Sequence, residues 1–325
     1  MTSSIPTVDS SFACLFVTYL DRTGYPVREW LSEECLPISL VRQMEGFVSE
    51  YHLRKFLVMA AERTGIEDLG LKVADTISMD RIGDLSTKMK AEGSLYASLG
   101  LFCKEVAEVN SHATFWLSHN DGQTWFFRHN PDELDVAQDI AEQFTVMYMV
   151  KLVQLTAGPE WYPEQVWLKS PGLRGYKRYP EFKNSKISLA RGVTAVMLPE
   201  DDESTDIPKR MIPPLPQPPS LGDSLKTLLS MYLPDDCPGI ELAAELSRLS
   251  VRTFKRKLAN EKTTYRNLLQ QARFEMACSM LENTDMNILD IANSIAYSHP
   301  GNFTRAFQKW SGLSPQKYRE KHGRV

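Results

Sequence analysis

At 325 residues, the chain is long enough for two domains with separate cores. An apolar fraction of 42% and a charged fraction of 24% are ordinary for a soluble globular protein and exclude a disordered or fibrous one. The net charge of −4 is unevenly divided: residues 1–220 carry 22 Lys and Arg against 30 Asp and Glu, whereas residues 221–325 carry 15 against 11. Only the C-terminal part therefore has the balance expected of a chain that meets a polyanion.

Membrane and export signals are not expected. The richest apolar run, 144–155, is short and interrupted by Lys151 and Gln154. The first nine residues lack a basic stretch followed by an apolar one. Five cysteines, widely spaced and without a C-x-x-C, suggest neither a zinc site nor a disulfide framework. No cofactor is expected, and a reducing cytoplasm is the expected location.

In chain order, Val48 to Arg63 reads as a helix with Leu53, Phe56, Leu57 and Ala60 on one stripe. Leu85 to Met89 and Leu95 to Val106 are helical as well. The period then shortens: 113–118 and 124–128 flank Asn120-Asp121-Gly122, a hairpin signal. A long helix is expected over 135–155, and short strands at 166–168 and 193–198. Six of the twelve residues from Pro208 to Pro219 are proline, which excludes helix and central strand and predicts a semi-stiff spacer. The expected organisation is a mixed one: an α+β domain over 1–206, a linker over 207–220, and an all-α domain over 221–325. Within the last, helices are expected at 220–232, 240–248, 250–259, 265–282, 288–295 and 299–310, with a final one starting at Ser314-Pro315.

The all-α part contains one pattern twice, 49 positions apart. Ala243, Leu246, Phe254, Arg256 and Leu258 recur as Ala292, Ile295, Phe303, Arg305 and Phe307. Each copy is a short helix, a turn with a serine, and a second helix with a buried aromatic stripe and an outward arginine. This is the helix-turn-helix unit that lays its second helix in the major groove of DNA. In the first copy Ser250 is the expected cap, and Arg252, Lys255 and Arg256 face away from Phe254 and Leu258. Guanidinium groups suit guanine O6 and N7, and a lysine reaches a base or a phosphate. In the second copy Ser298 is the expected cap, with His299, Asn302, Thr304 and Arg305 as the DNA-facing residues. Asparagine suits adenine, and threonine a phosphate or a thymine methyl.

The stretch from about Gly239 to Glu320 resembles the DNA-binding domain of AraC-type bacterial transcription regulators. The residues that carry the likeness are Leu242-Ala243-x-x-Leu246, Ser250-x-Arg252-Thr253-Phe254-x-Arg256, Arg273-Phe274-x-x-Ala277 and Ile291-Ala292. It continues through Asn302-Phe303-Thr304-Arg305-Ala306-Phe307 and Gly312-Leu313-Ser314-Pro315-x-x-Tyr318-Arg319. The resemblance implies two helix-turn-helix units in a seven-helix module joined by a central helix. Val251 stands for a common proline, and Lys262 and Ala296 stand where the family usually has glycine. If those glycines serve positive φ, these turns bend otherwise or store strain.

Glu67-x-Leu69-Gly70-Leu71-Lys72-Val73-Ala74, Pro163-x-x-Val166-x-Leu168 and the run from Tyr179 to Pro199 resemble the arabinose-binding-like sensor domain of one AraC-type subgroup. That resemblance implies effector sensing and does not identify the effector. Trp116, Trp125, Phe127, Tyr148, Trp167 and Arg128 are either an apolar pocket with a cationic anchor or ordinary core. His112, His119, His129 and Cys103 lack metal-ligand spacing, and no catalytic motif is present. The expected function is that of a non-enzymatic, sequence-specific transcription regulator responsive to a small molecule. Promoter or operator DNA is the principal partner, with RNA polymerase and a second copy of the chain as further candidates. Two other readings are a DNA-binding domain fused to a DNA-repair-like enzyme, and a ligand-independent architectural DNA binder.

Overall fold

A computed structural model describes residues 5–41, 46–79, 83–109, 113–120, 122–130, 136–200, 219–235 and 237–323. Their contacts divide the chain into two units that are not successive in sequence. Met1–Leu53 groups with Pro218–Val325, and Arg54–Gln217 forms the other unit. The sequence reading took 1–206 together; by contacts, residues 1–53 group with the C-terminal helices, and Ile5 packs in the cluster around Phe254 and Leu258. Residues 207–218 of the expected linker lie outside the described residues.

The first segment opens with β1 (Thr7–Asp9), α1 (Ser10–Arg22), α2 (Val27–Glu33) and β2 (Phe47–Ser49). Asp9 caps α1 by accepting from the Ser11 N–H at 2.8 Å, a bond that satisfies one of the unpaired donors of the first turn. β1 and β2 pair antiparallel, with Val8 opposite Val48. Helix α3 (Glu50–Thr64) follows directly. The sequence pattern started this helix at Val48, but the backbone of 47–49 is committed to the ladder with β1. Leu53, Phe56, Leu57 and Ala60 form its buried stripe as expected. The unit boundary falls within this uninterrupted helix, after Leu53.

The second unit comprises α4 (Leu69–Asp75), α5 (Gly83–Ala91), α6 (Leu95–Val109), β3 (Thr114–Asn120), β4 (Gln123–His129), α7 (Gln138–Ala157), β5 (Gln165–Trp167), α8 (Pro180–Lys183), β6 (Lys186–Ser188) and β7 (Thr194–Met197). The expected hairpin is β3–β4, turning at Gly122 with φ +75. Five strands form one sheet in the order β3-β4-β7-β5-β6, antiparallel except between β5 and β6. Because strand side chains alternate, the sheet has two apolar faces. Phe115 and Phe126 meet Phe102 of α6 at 5.2 and 5.9 Å between ring centroids. The other face carries Trp116, Trp125, Phe127, Trp167 and Ala195.

Helix α7 is buried on several sides, with Val146, Met147, Met149, Val150 and Val153 fully covered. Glycine at position 70 lets α4 lie directly on it: a Cβ there would sit 2.1 Å from the Ile140 carbonyl oxygen. The side chain of Gln143 accepts from the Gly70 N–H at 3.2 Å and donates to the Glu67 and Arg174 carbonyls. Neighbouring Glu142 accepts from the Lys169 and Ser170 backbone N–H groups at 2.6 and 2.7 Å and from the Thr194 hydroxyl at 2.5 Å.

The C-terminal part is a seven-helix array, as the resemblance implied: α9 (Leu221–Tyr232), α10 (Ile240–Leu246), α11 (Val251–Asn260), α12 (Tyr265–Asn283), α13 (Ile288–Ser294), α14 (Pro300–Ser311) and α15 (Pro315–His322). Two apolar clusters divide it. Leu225, Leu228, Phe254, Leu258, Leu268 and Ala272 pack in the first, joined by Ile5 from the start of the chain. Ala277, Leu281, Ile291, Ile295, Phe303 and Phe307 pack in the second. The central α12 serves both, its N-terminal half in one and its C-terminal half in the other. The segment 1–53 is further tied on by polar bonds. Ser39 donates its N–H to Asp235 at 2.8 Å and its hydroxyl to the Met231 carbonyl at 3.1 Å, and the Tyr232 hydroxyl donates to the Cys35 carbonyl at 2.8 Å. Among the described residues no helix is long and apolar enough to cross a membrane.

Candidate nucleic-acid interface

The duplicated positions take the same places in both copies. Ala243, Leu246, Phe254 and Leu258, and their counterparts Ala292, Ile295, Phe303 and Phe307, are all fully buried. With about 100° between successive residues of a helix, burying Phe254 and Leu258 turns Arg252 and Arg256 outward, with Lys255 beside them. All three are exposed, and no acidic side chain pairs with them among the described residues. Ser250 caps α11 as expected, accepting from the Thr253 N–H at 3.3 Å. The far end of the helix is anchored to α9, because Glu261 accepts from the Leu221 and Gly222 N–H groups at 3.1 and 2.9 Å.

The second copy departs from expectation at its start. The residue before α14 is His299, not Ser298, and its side chain makes no capping bond. Proline at 300 is the cause: it forces the preceding residue to an extended backbone (φ −139, ψ 127) and itself takes the first helical position. His299, Asn302 and Arg305 are exposed, while Thr304 is half-buried on the flank of the helix. The outward face centred on Arg305 also includes Gly301, Gln308 and Lys309, which the sequence reading did not single out. The 49-residue offset was the available signal, since it aligns Gly301 with Arg252. Arg305 is engaged with its own helix: its Nη2 donates to Asn302 Oδ1 at 2.6 Å and its Nε to the Gly301 carbonyl at 3.4 Å.

Both unusual turns store strain. Lys262 and Ala296 adopt φ +57, the left-handed conformation that glycine takes without penalty. At Ala296 the turn is fastened from α12. Arg273 donates from Nη2 to the Ala296 carbonyl at 3.0 Å, and its guanidinium lies 4.7 Å over the Tyr297 ring. At the other end of the module, Arg319 of α15 donates to the Met286 carbonyl at 2.5 Å and the Tyr318 hydroxyl to Glu282 at 2.7 Å. These bonds hold α13 and α15 to the end of α12.

In the second unit, the aromatic residues considered together in sequence are separated by the sheet. Trp116, Trp125, Phe127 and Trp167 share one face, with Trp125 and Trp167 rings 4.4 Å apart and Arg191 5.1 Å over Trp167. Tyr148 lies on the helix side, 6.3 Å from Phe102, where burial pushes its hydroxyl up to about 12. Strand alternation turns Arg128 away from the tryptophans, and it sends His119 and His129 to opposite faces. His112 lies outside the described residues.

Comparison with known proteins gives two family matches. A helix-turn-helix domain model matches residues 242–321. The model of the arabinose-binding N-terminal domain of AraC transcription regulators matches residues 24–206, more than half of the chain. Among curated relatives, the HTH-type transcriptional regulator VqsM of Pseudomonas aeruginosa is 34% identical over 87 residues, 27% of either chain. The ornithine utilization regulator of the same organism is 36% identical over 92 residues, 28% of this chain and 27% of its own. The chain thus spans about a quarter of the length of the curated relatives it matches. The transcriptional regulator CdpR from Pseudomonas aeruginosa aligns over 96% of this chain and 98% of its own, at 16% identity and a TM-score of 0.38. With the sensor model covering 24–206 and the helix-turn-helix model covering 242–321, the chain belongs to the AraC family of transcription regulators.

Proposed function

We propose that this protein is a sequence-specific DNA-binding regulator, with α11 and α14 entering successive major-groove segments about 34 Å apart. Arg252, Lys255 and Arg256 of α11, and His299, Asn302, Thr304 and Arg305 at and within α14, are the DNA-facing residues. The observation that carries this reading is the repeated placement of an exposed arginine, Arg256 or Arg305, opposite a fully buried phenylalanine, Phe254 or Phe303. An outward cationic face suits a polyanionic partner, and the two faces recur at the spacing of a duplicated unit.

The N-terminal region, residues 1–206, senses a small molecule, and the effector acts by binding one arrangement of the chain better than another. RNA polymerase and a second copy of the chain are the further partners, and the cytoplasm is the location. The experiment is a nuclease footprint of the full chain on the DNA upstream of its own gene, with and without candidate metabolites. Two protected segments one helical turn apart are expected, and their extent or affinity should change with the effector. Protection of a single segment would remove one of the two helices from the reading.

A further inference from the structure

The two outward faces are not chemically alike. Arg252 of the first recognition helix has Gly301 as its counterpart in the second, and Pro300 before it carries no polar side chain. Gly301 is helical in place and not among the residues with positive φ, so its turn does not require glycine. Nor does packing: a Cβ built there would meet no atom within 4 Å. Glycine is a poorer helix former than alanine, and among the described residues no contact at Gly301 requires it. The remaining physical use of a missing side chain is close approach of the backbone to something outside the fold.

Next to this gap the chain presents a composite donor. Arg305 spends one Nη2 hydrogen on Asn302 Oδ1 at 2.6 Å and directs Nε toward the Gly301 carbonyl at 3.4 Å. The short charge-assisted contact takes one of the two lone pairs of Asn302 Oδ1 and holds the guanidinium over the first turn. What is left to face outward is mostly donors, the Asn302 amide N–H pair and the unspent guanidinium N–H groups. Guanine offers two acceptors, O6 and N7, on its major-groove edge. Adenine offers N7 beside an N6 donor, which would be turned toward a cation. An unpaired Asn302 would suit adenine; with the Arg305 guanidinium held beside it, the pair presents mostly donors and favours guanine.

The geometry points to α14 as a guanine reader: Gly301 admits the backbone to the groove, and the preformed Asn302–Arg305 pair recognises guanine O6 and N7 in that half of the operator. This deepens the DNA-binding reading above and rests on it.

The test is selection of binding sites from a randomised duplex pool by the full chain at fixed salt, repeated with Gly301→Ala, Arg305→Ala and Asn302→Ala. Thermal unfolding of each variant reports on folding. Wild-type protein should enrich two half-sites, one with a guanine whose replacement weakens binding about tenfold or more. Arg305→Ala should move that position from guanine toward adenine, by removing the guanidinium from beside the Asn302 amide. Asn302→Ala should keep guanine with reduced preference. Gly301→Ala should melt no lower than wild type and yet lose affinity for the selected site. Enriched half-sites without that guanine would overturn the proposal and leave the regulator intact, as would an Arg305→Ala variant that weakens all duplexes equally, a phosphate contact. Gly301→Ala binding like wild type would overturn the close approach. Failure of the wild-type chain to enrich any sequence would instead sink the DNA-binding reading itself.

Discussion

The Arg248 guanidinium lies 4.8 Å over the ring of Tyr51, joining the turn of the first helix-turn-helix to the first turn of α3. Arg248 holds φ +54 at that turn, between α10 and α11, and the segment 1–53 therefore touches the DNA-binding module at a strained point. Ile5, fully buried in the cluster around Phe254, fastens the same segment from its other end. Ile5→Ala should destabilise this unit by about 2–5 kcal/mol through lost burial and a residual cavity. Tyr51→Ala should cost about 0.5–2 kcal/mol through the lost cation–π contact. Urea titration of the full chain measures both. Ile5→Ala without effect on the C-terminal helices would show that residues 1–53 do not complete their core.

Lys262→Gly should stabilise the fold by about 1 kcal/mol, because glycine takes φ +57 without steric penalty. Ala296→Gly should gain less, since its methyl group packs against the first apolar cluster. Chemical denaturation decides. A loss of stability at Lys262 would mean the strain is compensated by contacts of the lysine stem.

Arg256 stands at the centre of the outward face of α11. Replacing it by alanine should cost about 1–3 kcal/mol of DNA affinity and relax preference at one base pair if it reads a base. If it neutralises a phosphate, the loss should be equal on all sequences and the slope of log affinity against log salt should fall by about one. Competition binding at several salt concentrations distinguishes the two roles. Unchanged affinity and slope would take Arg256 out of the interface.

Glu142 is the polar pin of the unit Arg54–Gln217, accepting from two backbone N–H groups and a hydroxyl while only 2% exposed. Glu142→Ala would strand those donors in the interior, at about 1–3 kcal/mol each. Loss of cooperative unfolding in this unit, followed by tryptophan fluorescence, is the expected result.

Cys14 donates its thiol to the Leu40 carbonyl at 3.0 Å, and burial, with the Asp9 charge adding to it, pushes its pKa up to about 11. The folded chain should keep this thiol unalkylated by iodoacetamide at pH 7.5, since the thiolate is the reactive form. The raised value contributes stability that is complete below the ordinary thiol pKa of 9.0 and lost as pH climbs toward 11. Cys14→Ala should flatten that alkaline decline. Rapid alkylation of Cys14 at neutral pH would contradict its burial.

Much of the DNA-binding module was legible in sequence because its two apolar stripes repeat at helical spacing and its caps are serine, threonine and asparagine. Ser250, Thr264, Asn287 and Ser314 all accept from the N–H three residues on. Ser298 misled, because Pro300 moved the helix start by one residue. The hairpin 114–129 was equally plain, since Asn120 and Gly122 mark the turn between two aromatic strands. What could not be read was partnership. The aromatic set of 116, 125, 127, 148 and 167 could be read either as one pocket or as ordinary core, and the sheet separates Tyr148 from the tryptophans. Alternation along each strand fixes its faces, but not which face a distant helix will cover.

The order of local elements, and the recurrence of an arginine opposite a phenylalanine 49 residues later, follow from near-neighbour spacing alone, because helix period and capping are decided within a turn or two. Joining Ile5 to Phe254, Cys35 to Tyr232 and Tyr51 to Arg248 required the folded chain. Those contacts link residues about 200 or more positions apart, and the burial and hydrogen bonding that select them exist only once both surfaces have formed.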